Sequence, residues 1–175
     1  MNNIKEDLIK IATNTVQKSG INALTIRNLG VSVGIKSSSV MYHFKSKDGL
    51  LYELINNYAD GFSQYLENLS LEYEDPKTRL LKFVDVFEAV LKDGKFCLGG
   101  MLASQNDSLD ILTKEKTKSF FKEAEKWIAK TIEDKENSSS LAKVIISSLE
   151  GAMLLDKLDE QTQRLDAVRS WLKNL

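Results

Sequence analysis

The sequence predicts an all-α protein, and three observations carry that prediction. Helix breakers are scarce: there is a single proline, Pro76, and the nine glycines fall mostly at segment edges. Apolar residues recur at three- and four-residue spacing in one segment after another. No stretch alternates apolar and polar residues with the period of two that a half-buried strand needs. A composition of 42% apolar and 28% charged residues is that of a packed chain and excludes a disordered one.

The elements follow in order. Ile4, Leu8, Ile11, Ala12, Thr15 and Val16 share one face of a first helix, which Ser19-Gly20 ends. A second helix starts after Thr25, whose hydroxyl can cap it, and sets Ile26, Leu29 and Val33 on one side. Gly34-Ile35 turns the chain into a short third helix, about Ser37 to His43, with Val40 and Phe44 inward. Ser46 caps a long fourth helix striped with Leu50, Leu51, Leu54, Ile55 and Tyr58. Asp75-Pro76 opens a fifth, with cap and first-turn proline in their preferred slots, and Asp93-Gly94 closes it. A short segment "KFCLGGMLASQ" precedes a long amphipathic helix around Phe120, Phe121, Ala124, Trp127, Ile128 and Ile132, ended by "EDKENSSS". The last two helices are expected at about Ser140 to Leu158 and Glu160 to Leu175.

Several function classes drop out. Cys97 is the single cysteine, so no internal disulfide forms, and one His with one Cys is no metal cluster. The acids in "MNNIKEDLIKIATNTV" and its lack of an apolar block argue against a signal peptide, and the longest apolar run falls short of a membrane span. A cytoplasmic location is the expectation, with no cofactor. The net charge of -1 hides a split: residues 1–50 hold seven Lys and Arg against three acids, and the remainder 17 against 22. A basic head on an acidic body points to a polyanionic partner for the head.

The stretch "GVSVGIKSSSVMYHFKSKDGLL" says which partner. Two short helices joined by a glycine turn form a helix-turn-helix. With Leu29, Val33, Ile35, Val40 and Phe44 inward, Ser37, Ser38 and Ser39 occupy the outer, N-terminal end of the recognition helix. Small hydroxyls there let the helix enter the major groove and bond to base edges. Tyr42, His43 and Lys47 lie where groove-flanking phosphates would run, and Lys47 is also in the first turn of the next helix, whose free N–H groups favour an anion. Thr25 and Lys36 complete the candidate DNA-contacting set.

From Thr25 to Leu51, "TIRNLGVSVGIKSSSVMYHFKSKDGLL" resembles without a gap the DNA-binding segment of TetR-family bacterial transcriptional regulators. The resemblance implies a homodimer with an N-terminal three-helix DNA-binding domain, here 1–47, and a larger helical ligand-binding and dimerisation domain, here 48–175. It implies a regulator, in most of the family a repressor, released from a palindromic operator by a small effector. Three departures stand out. Gly30 takes the place of the usual Ala, which should loosen the second helix by up to about 1 kcal/mol. Met41 replaces a Tyr that touches the DNA backbone. Lys36 replaces a Ser or Thr cap, a role Ser37 could assume.

Between the fourth and eighth helices, the expected chamber walls are Phe62, Tyr65, Phe83, Phe87, Phe96, Met101, Gln105, Phe120 and Trp127, with Tyr65 and Gln105 as orienting polar groups. Acids are sparse among them, so a neutral, largely apolar or aromatic ligand is expected. "LAKVIISSLEGAMLLDKL" is apolar on nearly every face and must be covered on two sides. With the last helix it supplies the expected dimer interface: Leu141, Ile145, Leu149, Ala152, Met153, Leu165, Val168 and Leu172. Two other readings compete. A protein-interaction module would use the apolar C-terminal helices but leave the basic head unexplained. A serine hydrolase is suggested by Gly30-Val31-Ser32-Val33-Gly34, which spells G-x-S-x-G, but that motif needs a strand before its serine.

Overall fold

The computed structural model describes residues 4–132 and 136–175. Every regular element among them is helical: α1 Ile4–Ser19, α2 Ile26–Ser32, α3 Ser37–Phe44, α4 Lys47–Glu72, α5 Pro76–Lys92, α6 Leu98–Ser104, α7 Ile111–Thr131, α8 Ser138–Asp159 and α9 Gln163–Lys173. Two 3-10 turns, Ile21–Ala23 and Asn106–Ser108, lie between them. Local chemistry sets the starts. Thr25 accepts from the Asn28 N–H at 3.1 Å, Ser46 from Gly49 at 2.9 Å, and Asp75 from Thr78 at 2.8 Å with Pro76 behind it. Glu133, Asp134 and Lys135 of the expected polar stop after α7 lie outside the described residues.

The helices gather into two compact units, residues Met1–Ala59 with Leu98–Lys118, and Asp60–Cys97 with Ser119–Leu175. In the first, Leu8, Ala12 and Val16 of α1 are buried with Leu29, Val40, Phe44, Leu50, Leu54 and Leu102. Lys5 of α1 pairs with Glu53 of α4 at 3.2 Å. Two glycines permit close approaches. A Cβ on Gly30 would sit 2.8 Å from the Ile35 carbonyl oxygen, and the Gly30 carbonyl itself accepts from the Ile35 N–H at 2.9 Å. The residue expected to loosen α2 is therefore what lets the turn close back onto that helix. A Cβ on Gly49 would collide with the Phe44 carbonyl, so α4 starts hard against the end of α3.

In the second unit α5, α8 and α9 pack together around Leu80, Phe83, Val84, Ile145, Leu149, Met153, Leu165 and Leu172. Arg169 of α9 fastens this packing. It donates to Asp85 at 2.7 Å, to the Leu81 carbonyl at 3.2 Å, and to Glu88. The α8–α9 corner is built on Asp156, fully buried yet fully occupied: its carboxylate accepts from Arg164 N–H at 3.1 Å, Leu165 N–H at 2.9 Å and the Arg164 guanidinium at 3.3 Å. Contrary to the sequence expectation, α8 is long and apolar enough to cross a bilayer. Its charged Lys143, Glu150, Asp156, Lys157 and Asp159, and the packing of its buried face on α5 and α9, are those of a core helix.

Candidate DNA-binding head and effector core

The head is built as two short helices on a small core. Val40 and Phe44 point inward and are buried with Leu29, while Val33 and Ile35 are half-buried. That orientation leaves Ser37, Ser38 and Ser39 exposed on the first turn of α3, with Lys36 beside them. Lys36 is the N-cap residue and provides no side-chain cap, and Ser37 lies inside the helix, so the expected substitute cap does not form. The free N–H groups of that first turn remain available to an anion.

Around the exposed end, the candidates fall into two groups. Tyr42 is 75% exposed, and the Lys45 ammonium stands 5.2 Å from its ring centre. His43 is half-buried between Tyr42 and Phe44, with ring centres 5.7 and 6.1 Å away. Lys47 already commits one donor to the Ile21 carbonyl at 3.0 Å, tying the first 3-10 turn to the start of α4. Thr25 likewise spends its hydroxyl oxygen on the cap of α2. These two position the head, with a hydroxyl hydrogen or further ammonium donors left over.

Lys45, a candidate phosphate contact by its place in the sequence between Phe44 and Ser46, is also marked by its backbone. Its φ of 65° and ψ of -42°, with the Ser46 N–H donating to the Phe44 carbonyl at 2.7 Å, make a γ-turn of the strained hand. A glycine would sit there more comfortably; a lysine costs about 1–3 kcal/mol. The G-x-S-x-G stretch lies within α2 and its turn, where the Ser32 hydroxyl donates to the Leu29 carbonyl at 2.7 Å. That is helix-end geometry, and among the described residues no strand precedes the serine.

In the second unit six of the expected wall residues stack on one another. Ring centres are 4.8 Å apart for Phe62–Phe120, 6.0 Å for Phe62–Phe83, 6.5 Å for Phe62–Tyr65, 5.4 Å for Phe83–Phe87 and 5.5 Å for Phe83–Trp127. Phe96 is buried in the same unit. Their polar atoms are spoken for. The Tyr65 hydroxyl donates to the Lys82 carbonyl at 2.7 Å, and the Trp127 indole N–H to Ser70 at 2.8 Å. Burial, then the Asp85 carboxylate, push the Tyr65 phenol up to about 12. Met101 and Gln105 belong to the first unit, where both lie against Gly20. Two clefts of the second unit, of about 320 and 540 Å³, have none of the nine expected wall residues in their lining.

Residues 8–54 match the family described as bacterial regulatory proteins of the tetR family. A solved TetR transcriptional regulator from Legionella pneumophila is 32% identical over 99% of this chain and 97% of its own, with a TM-score of 0.94. The chain belongs to the TetR family of transcriptional regulators. A TetR-family regulator from Agrobacterium tumefaciens shares the fold at a TM-score of 0.93 with 21% identity, covering 98% of this chain and 97% of its own. The HTH-type transcriptional repressor KstR2 of Mycolicibacterium smegmatis is 29% identical over 87 residues, which are 49% of this chain and 42% of that repressor. The chain thus spans less than half the length of the curated relatives it matches. Membership makes the segment around α2 and α3 a helix-turn-helix DNA-binding head, and these relatives are regulators, not enzymes.

For this TetR-family chain the expected dimer contacts need correcting. Ile145, Leu149, Met153 and Leu165 have no exposed surface, Leu172 is 1% exposed and Ala152 is buried as well. They build the chain's own core and have nothing to offer a second chain; Leu141 and Val168 are half-buried. The apolar surface that α8 leaves uncovered is Val144, Leu154, Leu155 and Leu158, with Trp171 on α9. On α8 these residues share a stripe with the small Ser147, Ser148 and Gly151. Apart from the helix's own backbone, no atom of the described residues lies within 4 Å of where a Gly151 Cβ would be.

Proposed function

We propose that this regulator is a homodimeric, cytoplasmic repressor that holds a palindromic operator with two copies of α3 and lets go when a small, largely apolar or aromatic effector occupies the second unit. The observation that carries the DNA contacts is the exposed Ser37–Ser39 turn of α3, flanked by Lys36, Tyr42 and Lys45 and backed by buried Val40 and Phe44. Hydroxyls on a narrow helix end suit base edges, and the cations suit phosphates. The contact set becomes Lys36, Ser37, Ser38, Ser39, Tyr42, His43 and Lys45, with Thr25 and Lys47 as positioning residues that keep further donors for phosphate.

The partner copy is supported by the uncovered stripe of α8. A helix with Val144, Leu154, Leu155 and Leu158 in water is far more stable against a second such helix, and the small residues between them let two copies approach closely. Two-fold pairing also suits a palindrome, whose half-sites lie about 34 Å apart. Effector release follows from differential affinity: a hundredfold loss of operator binding requires a preference of about 2.7 kcal/mol for the non-binding conformation. The helix α4, with residues in both units, is the proposed carrier of that change.

The test is selection of duplex DNA by the purified protein, followed by binding measurements on the enriched sequence. The proposal expects a palindrome bound by two chains, with affinity lost in a Lys36→Ala, Tyr42→Ala variant that keeps its oligomeric state. Enrichment of no sequence, or unchanged binding by that variant, would overturn it.

A further inference from the structure

Two acids on α8 are withdrawn from water, and they are treated in opposite ways. Asp156 is saturated with donors from the start of α9. Glu150, six residues earlier, has both carboxylate oxygens buried and, among the described residues, no N–H or O–H donor on either. The buried Cys97 thiol, a weak donor, stands beside it. Burial pushes the carboxyl up to about 7, against the pull of that thiol. Ile146 and Met153, one turn to either side of it on α8, are buried, so the acid is set in apolar surroundings.

A bare buried carboxyl is costly, and a fold that needed only packing would place Leu or Met there. We propose that Glu150 is the polar anchor of the effector site, and that the effector is a protonated amine or amidine carried on an apolar body. This rests on the reading that the second unit binds an effector. The donor count selects the ligand class. A ligand that only accepts hydrogen bonds could use the single proton of the neutral acid and would leave the other oxygen bare. An ammonium brings three donors, and an amidinium presents two in the plane of the carboxylate, so either satisfies both oxygens and supplies the missing charge. The apolar residues beside it, Ile146 and Met153 among them, then take the apolar body. Glu150 lies on α8, which the sequence assigned to the interface, and so outside the wall residues whose scarcity of acids led to the expectation of a neutral ligand.

The experiment measures melting temperature and operator binding together. The probes are 1-naphthylmethylamine and 2-naphthamidine, each paired with its neutral isostere, 1-naphthylmethanol and 2-naphthamide. The cations are expected to raise the melting temperature of the wild type by about 2 °C or more at saturation, and to do so neither in Glu150→Gln nor at equal concentration of the isosteres. Cys97→Ala, which keeps the carboxylate, should retain the cation response. Equal shifts from the neutral compounds would sink the cation assignment while leaving the effector reading intact. So would a cation shift that survives in Glu150→Gln, or no shift from either cation. Operator binding by Glu150→Gln without any probe tests the regulator separately: it stays at the wild-type level if the residue serves the effector alone.

Discussion

The outer faces of α3 and α8 are both surplus to the chain's own core, and they could hardly differ more. On α3 the surplus is hydroxyl and cation: Ser37, Ser38, Ser39 and Tyr42, with Lys36 and Lys45 at its ends. On α8 it is Val144, Leu154, Leu155 and Leu158 around Ser147, Ser148 and Gly151. Each face is better matched to something other than water, and the chemistry of the face names the partner. A polar, cationic helix end fits a polyanion with hydrogen-bonding edges. An apolar stripe with a small-residue centre fits a copy of itself. On the proposed reading, α3 is the helix that reads and α8 the one that sets how many readers are joined.

Breaking the α8 face should have the largest effect. Leu154→Asp with Leu158→Asp places two charges in the stripe while sparing the core residues Leu149 and Met153. Light scattering should then give the 19.7 kDa of one chain instead of twice that mass. Operator affinity should fall on the order of a hundredfold or more, because two linked half-site contacts become independent. A dimeric double variant would show that the stripe is not the interface.

Next in size is the buried acid. With Glu150 at about 7 in the folded chain and 4.5 as its ordinary value, the native state binds more protons than the unfolded one between those values. Its contribution to stability is complete below pH 4.5 and is lost as pH rises through 7, at most about 3 kcal/mol. Urea melts at pH 5 and pH 8 should therefore show the wild type losing more stability over that interval than Glu150→Gln does. Equal losses would mean that the carboxyl titrates normally.

The face of α3 is sharpened by its strained end. Lys45→Gly relieves the γ-turn and should raise stability by about 1 kcal/mol, a gain of about 2–4 °C. The same change should weaken operator binding and flatten its salt dependence by about 2 in the log–log slope per dimer. Opposite signs in the two readouts are the mark of strain kept for function. A variant that is more stable and binds as well as the wild type would remove Lys45 from the contact set. Lys47→Ala offers the smallest contrast: it should lower stability slightly, through loss of the bond to Ile21, along with its modest effect on binding.

What the sequence could disclose was what short-range chemistry decides. The caps at Thr25, Ser46 and Asp75 and the inward turn of Val40 and Phe44 depend on residues three or four positions apart, and each stands as expected. The faces of α8 were illegible because it is apolar nearly all round. Periodicity cannot tell which side meets the chain's own α5 and α9, so core residues such as Ile145 and Met153 were assigned to the interface. Lys47 shows the other limit, since its partner Ile21 is 26 positions away and no local pattern announces it. Asp156 and Arg169 are similar cases: they look like surface charges until the tertiary fold brings α9 against α8 and α5. Gly30 read as a defect in α2 because its neighbour Ile35 enters only when the turn is folded.

The central claim is that the outer end of α3 binds duplex DNA, and salt titration of binding to the selected operator tests it most directly. The account predicts that log K falls linearly with log salt, at about 0.9 per phosphate neutralised, with a shallower line for a Lys36→Ala, Lys45→Ala variant. Flat binding, or wild-type and variant lines that coincide, would contradict it.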